Sequence, residues 1–380
     1  MSDAPVHAEH EQEHEGEFLA APEILHGSSE DAVRPSSARR SFWTDIKRNW
    51  LGLLISAVCL IAVFSLVDFE EFKTALASAD YRYIFPAVLV FLAGLLFRTF
   101  AWRTLLEERA SPRQAFFALN QGYLLNNLLP FRLGEIGRGF LLSRAAQVGF
   151  LQVMSTIMIE RVFDLLMVVG ILAISLAYLV SARAAAGPLT LIVGITMLAG
   201  LLVLHLAARN RRRLVTGYAK LRERYRPLRR IAVRQVEMLF QGFAALTDLR
   251  RFVLVLLAMG CTWSLIVVHY YLLLLAFEPQ GKLLWAAFGI GVVGLSVAVP
   301  SAPGSIGVVQ GVIVWWFPAV FGVDPAVALA FSLAVHAIYL LITSGLGVLG
   351  LLLEGGSLRG LVDNVRLAAR KLRGVEGEAM

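Results

Sequence analysis

The sequence has little charge and almost no cysteine. Of its 380 residues, 17% are charged and 57% are hydrophobic, with a mean hydropathy of +0.68, which excludes an ordinary soluble globular protein. The two cysteines, Cys59 and Cys261, both lie within apolar runs and have no metal-binding spacing. They therefore predict no metal site and do not indicate a redox compartment, and no cofactor is implied.

Several motifs are also missing. No G-x-x-x-x-G-K-S/T sequence occurs, which excludes a built-in P-loop ATP motor. A membrane phosphatase motif is excluded because five residues, rather than six, separate Lys220 from Arg226. The first 33 residues contain nine acids, no Lys or Arg and no long apolar core, so we expect no signal peptide and an uncleaved first helix.

Long apolar runs recur along most of the chain and predict an all-α, polytopic integral membrane protein with about eight transmembrane helices. We expect a disordered acidic tail at 1–40, a transmembrane domain at 41–353 and a cytoplasmic tail at 354–380. The predicted apolar helices are 50–67, 83–97, 115–129, 153–180, 189–207, 252–277, 283–299, 308–321 and 327–353.

The positive charge is concentrated in one segment. Residues 208–251 contain thirteen Lys or Arg and three Asp or Glu, with apolar residues recurring at intervals of three or four. This pattern predicts a cytoplasmic, amphipathic helical insert that meets anionic lipids of an inner membrane, and it places both chain termini in the cytoplasm. A purely structural hairpin is the alternative for this insert. No recognition motif accompanies the charge, so no nucleic-acid partner is expected.

Two stretches share the pattern P-x-x-x-G-x-I-G. The first runs from Pro130 to Gly137 and the second from Pro300 to Gly307. Residues 115–129, before the first, would form a helix of about 22 Å, shorter than the roughly 30 Å hydrocarbon core. We therefore predict re-entrant segments related by an inverted repeat, with substrate bound between them. Residues 283–321 fit either two spans or one re-entrant hairpin.

We call these two stretches the first and second Pro-Gly loops. Ionisable residues lie in and just after the first loop. Arg132, Glu135 and Arg138 are spaced by three and share a helical face, which predicts a hydrated cavity rather than a lipid-facing surface. Downstream, Glu160 and Asp164 share a face in the sequence ERVFD, and Arg161 is spaced to pair with Asp164. These three form either a self-neutralised structural cluster or a charge network coupled to the first loop.

The second loop has no charged residues. Its glycines precede a helix that begins near Val308, so open amides there could bind an anion such as a lipid phosphate, with Arg132 and Arg138. The alternative is that the glycines only allow close helix packing. His269 and His336 are interpreted as hydrogen-bonded packing residues rather than proton relays.

Four stretches together resemble the transmembrane region of lysylphosphatidylglycerol synthases, the flippase-like domain family. They are FRTFAWRTLL (97–106), NNLLPFRLGEIGR (126–138), ERVFD (160–164) and PSAPGSIGVVQ (300–310). The resemblance covers about 50–353 and implies a lipid translocase domain. Together with the charge pattern, it marks these candidate substrate-binding residues: Arg98, Arg103, Asn126, Asn127, Arg132, Gly134, Glu135, Arg138, Glu160, Arg161, Asp164, Pro303, Gly304, Gly307 and Gln310.

The sequence departs from the family at two places. Gln310 stands where the second loop of the family ends in an acid, which argues against proton coupling at that position. Little follows residue 353, where full-length synthases have a soluble aminoacyl-transferase domain, so we expect no aminoacyl-lipid synthesis by this chain alone.

Three functions remain open. We expect translocation of a polar or phosphate-bearing lipid, driven by a gradient or running downhill, with Glu135, Glu160 and Asp164 as candidate proton carriers. A membrane-embedded transferase with Glu135 or Glu160 as general base is the first alternative. A non-transporting partner protein in lipid or envelope biogenesis is the second. The expected ligand is a membrane lipid, and the sequence leaves the oligomeric state open.

Overall fold

The structure is a computed structural model in which residues 54–129, 133–180, 183–224, 246–297, 301–355, 360 and 362 are described. These residues contain helices and no strands, which confirms the prediction of an all-α, polytopic membrane protein. The predicted tails at 1–40 and 354–380 lie almost wholly outside the described residues, as does residues 225–245 of the basic insert.

Twelve α-helices fall within the described part of the chain. They are α1 (Leu54–Leu66), α2 (Phe69–Ala77), α3 (Ile84–Leu105), α4 (Pro112–Leu128), α5 (Leu133–Ala146), α6 (Phe150–Val180), α7 (Arg183–Arg209), α8 (Arg211–Arg224), α9 (Leu249–Phe277), α10 (Leu283–Ser296), α11 (Val308–Phe321) and α12 (Pro325–Leu353). The predicted apolar segments all correspond to helices. The short helix α2 was not predicted, because its nine residues mix apolar and charged side chains.

Five helical stretches in the described residues are long and apolar enough to cross a membrane. They are Tyr81–Leu105, Phe150–Leu179, Leu249–Phe277, Pro303–Phe321 and Pro325–Leu353. Three shorter apolar helices, at Leu54–Leu66, Gly194–Val203 and Leu283–Ser296, accompany them. Helix α4 is seventeen residues long, or about 26 Å, and α5 is fourteen, or about 21 Å, so both are short for a full span.

Local sequence sets the limits of α4, which lies beside the candidate site. Ser111 and Gln114 form a reciprocal capping box, and Pro112 occupies the first turn, where its missing N–H costs nothing. The helix ends at Leu128, just before Leu129 adopts an extended conformation ahead of Pro130. A residue that precedes proline disfavours the α conformation, so the chain turns here.

The helices pack as two similar sets. Within the first set, α3 to α6, and within the second, α9 to α12, neighbouring helices contact one another. Between the sets, α3 packs on α9, α4 packs on α12, and α6 packs on α10. Exchanging the two sets therefore reproduces the contacts, as an internal two-fold repeat would. The inverted sense of that repeat stays a prediction.

Glycines allow the closest contacts between the two sets. A Cβ on Gly347 of α12 would lie 2.8 Å from the Asn120 carbonyl oxygen of α4. On the other side, a Cβ on Gly291 of α10 would lie 2.8 Å from Leu172 Cβ of α6. Small residues bring helix backbones together, which favours van der Waals packing in a membrane, where lipid and side chains are equally apolar.

Candidate functional site

A buried carboxylate lies at the centre of the candidate site. Glu160 occupies the middle of α6 and is fully buried. Arg98 of α3 donates from Nη2 to Glu160 Oε1 at 2.5 Å. The same guanidinium binds Asp164, one helical turn further along α6, at 3.0 Å from Nη1 and 2.5 Å from Nη2. Arg98 therefore joins α3 to two acids on one face of α6 through charge-assisted hydrogen bonds.

Asp164 has further donors. Trp263 of α9 donates from Nε1 to Asp164 Oδ1 at 3.2 Å, and Arg161 Nη1 lies 3.2 Å from Asp164 Oδ2. The second contact confirms the pairing predicted from their spacing of three. Arg161 also lies 3.5 Å from Glu160 Oε1 and 3.5 Å from Glu135 Oε1 of α5. Glu135 is thereby joined to the acids of α6.

Arg138 of α5 completes the group. Its Nη1 lies 3.0 Å from Glu160 Oε2, and its guanidinium stacks over the Trp102 ring of α3 with 4.8 Å to the centroid. The 3.0 Å separation makes Arg138 and Glu160 an ion pair, but this contact does not have the geometry of a hydrogen bond. Among the described residues, both Nη atoms of Arg138 and Glu160 Oε2 are buried without a hydrogen-bond partner.

We refer to these six side chains as the charge cluster: Arg98, Glu135, Arg138, Glu160, Arg161 and Asp164. Three arginines face three acids, so the formal charges cancel. The structure thus joins Glu135 and Arg138 to the ERVFD sequence, as the coupled-network alternative predicted, and it adds Arg98 as the main partner of both α6 acids.

The burial of the charge cluster bears on one prediction. Arg138 is 2% exposed and Glu160 is 0% exposed, so both are enclosed by protein and do not face lipid; the predicted hydrated cavity stays a prediction. Only the outer members are partly accessible, with side-chain exposures of 22% for Glu135 and 33% for Arg161. Arg132, the third member of the predicted face, lies outside the described residues.

The helices on either side of the first loop are joined by a hydrogen bond and pack closely at two glycines. Asn126 Oδ1 accepts a hydrogen bond from the Gly134 amide at 2.9 Å, which ties the end of α4 to the start of α5. A Cβ on Gly134 would overlap the Gly122 carbonyl oxygen, and a Cβ on Gly122 would lie 2.9 Å from Arg138 Cβ. The two glycines therefore let α4 and α5 approach closely enough to position Arg138.

Asn127, near the end of α4, contacts α12 and lies close to the second loop. Its Nδ2 donates to Thr343 Oγ1 at 3.2 Å and to Ser344 Oγ at 3.0 Å, both on α12. A Cβ on Gly304 would lie 3.7 Å from the Asn127 carbonyl oxygen. The end of α4 thus lies against the second Pro-Gly loop, whose Pro303–Ser305 segment forms a short 3-10 turn.

A neutral hydrogen-bond chain fixes the second loop. Gln310 Oε1 accepts from the Gly307 amide at 2.8 Å, which leaves its Nε2 to donate to His336 Nδ1 at 2.9 Å. His336 Nε2 is then the protonated nitrogen, and it donates to the Gly304 carbonyl at 2.8 Å. His269 Nδ1 similarly donates to the Ala87 carbonyl at 2.9 Å. Both histidines are hydrogen-bonded packing residues, as predicted.

Several amides of the second loop are already engaged. The Gly307 amide binds Gln310, the Ser305 amide binds the Ala302 carbonyl at 2.9 Å, and the Ala302 amide binds Ser56 Oγ of α1 at 2.9 Å. A Cβ on Gly307 would lie 2.6 Å from the Ser56 carbonyl oxygen. The open row of amides expected between Gly304 and Gly307 is therefore incomplete, and close packing by glycine accounts for this part of the loop.

One predicted site residue stands apart. Arg103 donates from Nε to the Ala110 carbonyl at 2.9 Å, and its Nη2 lies 3.9 Å from Glu108 Oε2. It thus holds the turn after α3, and its partners in the described part of the chain lie outside the charge cluster. Within the described residues, no three His, Cys, Asp or Glu side chains are grouped to hold a metal ion.

The sequence did not identify the aromatic members of the site. Trp102 stacks on Arg138 and donates from Nε1 to Thr156 Oγ1 at 3.1 Å, and Trp263 binds Asp164. Trp102 does fall within the FRTFAWRTLL sequence, four positions after Arg98, which places both on one face of α3. Trp263 lies in an apolar run and has no such signal.

Comparison with known proteins gives two archaeal relatives. The chain is 23% identical over 320 residues to "Glycosyltransferase AglD" of Haloferax volcanii, covering 76% of this chain and 51% of that protein. It is 25% identical over 325 residues to a "UPF0104 membrane protein" of Methanothermobacter thermautotrophicus, covering 80% of this chain and 95% of that protein. The chain thus spans about half the length of AglD. No solved structure matches significantly.

The family comparison covers most of the chain, including every member of the charge cluster and both Pro-Gly loops. The family described as "Lysylphosphatidylglycerol synthase TM region" matches this chain over residues 49–347. The chain therefore belongs to the family of the lysylphosphatidylglycerol synthase transmembrane region.

Proposed function

We propose that the protein moves a phosphate-bearing lipid between the two leaflets of its membrane, with the headgroup phosphate bound at Arg138. One observation carries this proposal: in a fully buried guanidinium, Nη2 has no hydrogen-bond partner among the described residues, and Nη1 has only the 3.0 Å ion pair with Glu160 Oε2. Unsatisfied buried donors are costly, and a guanidinium is shaped to bind phosphate through two parallel hydrogen bonds. A phosphodiester would satisfy both.

A second set of polar groups supports passage of a headgroup through the bundle. On α4, the side-chain carbonyl oxygens of Asn120 and Gln121 are buried without a hydrogen-bond partner in the described part of the chain. Gln121 Nε2 donates to Glu354 Oε2 at 2.9 Å at the end of α12, and Asn127 binds α12 further along. Polar groups thus follow the α4–α12 interface, where a polar headgroup needs partners in place of water.

Leaflet exchange in reconstituted vesicles tests this function. A headgroup-labelled, short-chain phosphatidylglycerol would be followed by quenching from the outer leaflet. We expect exchange with the native protein and its loss in Arg138→Ala, with partial activity in Arg138→Lys, which keeps the charge but loses the two-pronged geometry. Arg82→Ala is the matched control, because Arg82 is an exposed arginine that pairs with Asp80 at the surface, away from the charge cluster.

The outcomes separate the candidate functions. Equal exchange by native protein and Arg138→Ala would remove Arg138 from the lipid site. No exchange by folded native protein would favour a non-transporting partner in lipid or envelope biogenesis.

The relative AglD gives one reason to consider a transferase, since that protein is named a glycosyltransferase. On this alternative, Glu135 or Glu160 would be the general base. The contacts of Glu160 favour transport, because its two carboxylate oxygens already face arginines, Oε1 facing Arg98 and Oε2 facing Arg138. Transfer of a labelled headgroup between lipids by purified protein would establish the alternative.

The location that fits this function is an inner membrane with both termini in the cytoplasm. Helix α8 supports the assignment, because Arg211, Arg212 and Arg213 open a helix rich in positive charge that follows α7 directly. Such a segment is attracted to the anionic lipids of a cytoplasmic leaflet. After Cys59 and Cys261 are replaced, a single cysteine introduced by Lys220→Cys should not react with membrane-impermeant thiol reagents in intact cells. Labelling from outside would contradict the proposed orientation.

A further inference from the structure

Within the described residues, the charge cluster is formally neutral, which limits the net charge that a bound ligand can bring. Its three arginines and three acids sum to zero when all six are ionised. A phosphodiester such as phosphatidylglycerol brings one negative charge into a site enclosed by protein. An uncompensated charge is strongly disfavoured in such a low-dielectric environment, so a compensating positive charge must enter with the anion.

Arg138 is the cation best placed to change partners. It faces Glu160 Oε2 at 3.0 Å, yet neither Arg138 Nη atom nor Glu160 Oε2 makes a hydrogen bond within the described residues. Arg98, by contrast, makes three hydrogen bonds to Glu160 and Asp164. A phosphate that takes Arg138 would leave Glu160 bound through Oε1 to Arg98 and would free Oε2.

We propose that lipid movement by this protein is coupled to protons, with Glu160 taking up one proton as an anionic phosphate binds Arg138. The proton comes from the aqueous phase and bonds to Oε2, and it is released when the phosphate leaves and Arg138 returns to Glu160. This inference rests on the proposed function and adds to it a further activity, namely stoichiometric proton movement.

The surroundings distinguish Glu160 from the other two acids. Asp164 keeps its contacts with Arg98, Arg161 and Trp263, because none of these partners is taken by the phosphate. Glu135 on α5 is partly exposed and keeps its contact with Arg161. Only Glu160 loses a cation.

The charged and titratable groups around Glu160 come from each helix packed on it. Arg98 faces it from α3, Tyr123 interacts with it electrostatically from α4, and Arg138 faces it from α5. Arg161 and Asp164 flank it on α6 itself, and Trp263 of α9 contacts Asp164. The tyrosine phenol is neutral near pH 7, so it leaves the charge balance unchanged.

Proton uptake can be measured directly on the full chain in detergent. Short-chain phosphatidylglycerol would be titrated into the protein by calorimetry in two buffers of different ionisation enthalpy. We expect uptake of about one proton per lipid. Over the pH range in which Glu160 is ionised in the free protein and protonated in the complex, the affinity should weaken about tenfold for each pH unit. Short-chain phosphatidylcholine brings its own cation, so its binding should take up no proton. Dimethyl phosphate distinguishes recognition of free phosphodiester from that of a lipid.

Variants assign the proton. Glu160→Gln should bind phosphatidylglycerol with no proton uptake and with an affinity that does not change with pH, since the cluster already has one positive charge in excess. Glu107→Gln is the control, because Glu107 pairs with Arg109 and Arg251 outside the charge cluster, and it should behave like the native protein. If Glu160→Gln fails to fold, the contrast between the two native-protein lipid titrations still decides whether lipid binding is coupled to proton uptake.

Each remaining result counts against a defined part of the inference. Phosphatidylglycerol binding without proton uptake would overturn the coupling while leaving lipid transport intact. Undiminished uptake in Glu160→Gln would overturn the assignment to Glu160. Failure of native protein to bind any of the three probes would instead count against the proposed function.

Discussion

The two Pro-Gly loops start from the same sequence pattern and become different structures. After the first, α5 begins at Leu133 and carries Glu135 and Arg138 into a buried charge cluster. After the second, two glycines with positive φ angles, Gly304 and Gly307, turn the chain, and neutral partners fix it. The comparison indicates a division of labour in which the first loop supplies charge and the second supplies a rigid backbone support.

Arg98→Ala should give the largest loss of stability, because it removes the main partner of Glu160 and Asp164, two buried acids of the charge cluster. Breaking a buried ion pair by removing one member costs about 3–5 kcal/mol. Thermal unfolding in detergent should show a large drop in melting temperature or a failure to accumulate folded protein. The control Arg82→Ala lies at the surface and should leave the melting temperature unchanged. Equal stability of the two variants would contradict the importance of the charge cluster.

Alanine at the matching glycines, Gly134 and Gly304, should separate the two loops next. In Gly134→Ala the new Cβ would overlap backbone at Gly122, which has little room to move, so we expect a cost near the upper end of about 1–3 kcal/mol. In Gly304→Ala the φ of 68° imposes about 1–2 kcal/mol, with only a 3.4 Å contact to Leu340.

Gly345→Ala serves as the control for both, because a Cβ there has no atom within 4 Å. Alanine is a better helix former than glycine, so its melting temperature should stay the same or rise. A larger loss from Gly304→Ala than from Gly134→Ala would reverse the proposed contrast between the loops.

His336→Ala tests the neutral hydrogen-bond chain that fixes the second loop. It leaves the Gly304 carbonyl and the Gln310 amide without their partner, at a cost of about 1–2 kcal/mol, less than Arg98→Ala because no buried charge is exposed. Melting temperature in detergent measures the effect. Leaflet exchange should survive in the folded variant; its complete loss would show that the second loop does more than support the first.

Asn127→Ala should have the smallest effect of the series. It removes two hydrogen bonds to Thr343 and Ser344 at a part-buried position, worth about 1 kcal/mol together with their desolvation. Asn127→Asp offers a sharper comparison, since a carboxylate of similar size can only accept. Melting temperatures that match the native protein in both variants would mean that the Asn127 contacts do not help to hold α4 against α12.

Part of this architecture was predictable because hydrophobic runs report directly on the solvent around a helix. The all-α membrane class, the short helix before the first loop and the Arg161–Asp164 pair follow from apolar length and helical spacing. Helix α2 was missed for the same reason, since it has no apolar run. These features depend on neighbours within a few turns, which the sequence displays.

The composition of the site depended on contacts between distant parts of the chain. Arg98 and Asp164 are 66 positions apart, and Asp164 and Trp263 are 99 apart, so no local pattern indicates either contact. The charged residues form a buried cluster because α3, α5 and α6 bring three arginines to three acids, which neutralise them. By itself, the sequence determined which residues are charged and which helices hold them; the tertiary structure decided their partners, because pairing in a bundle is set by which helix faces meet.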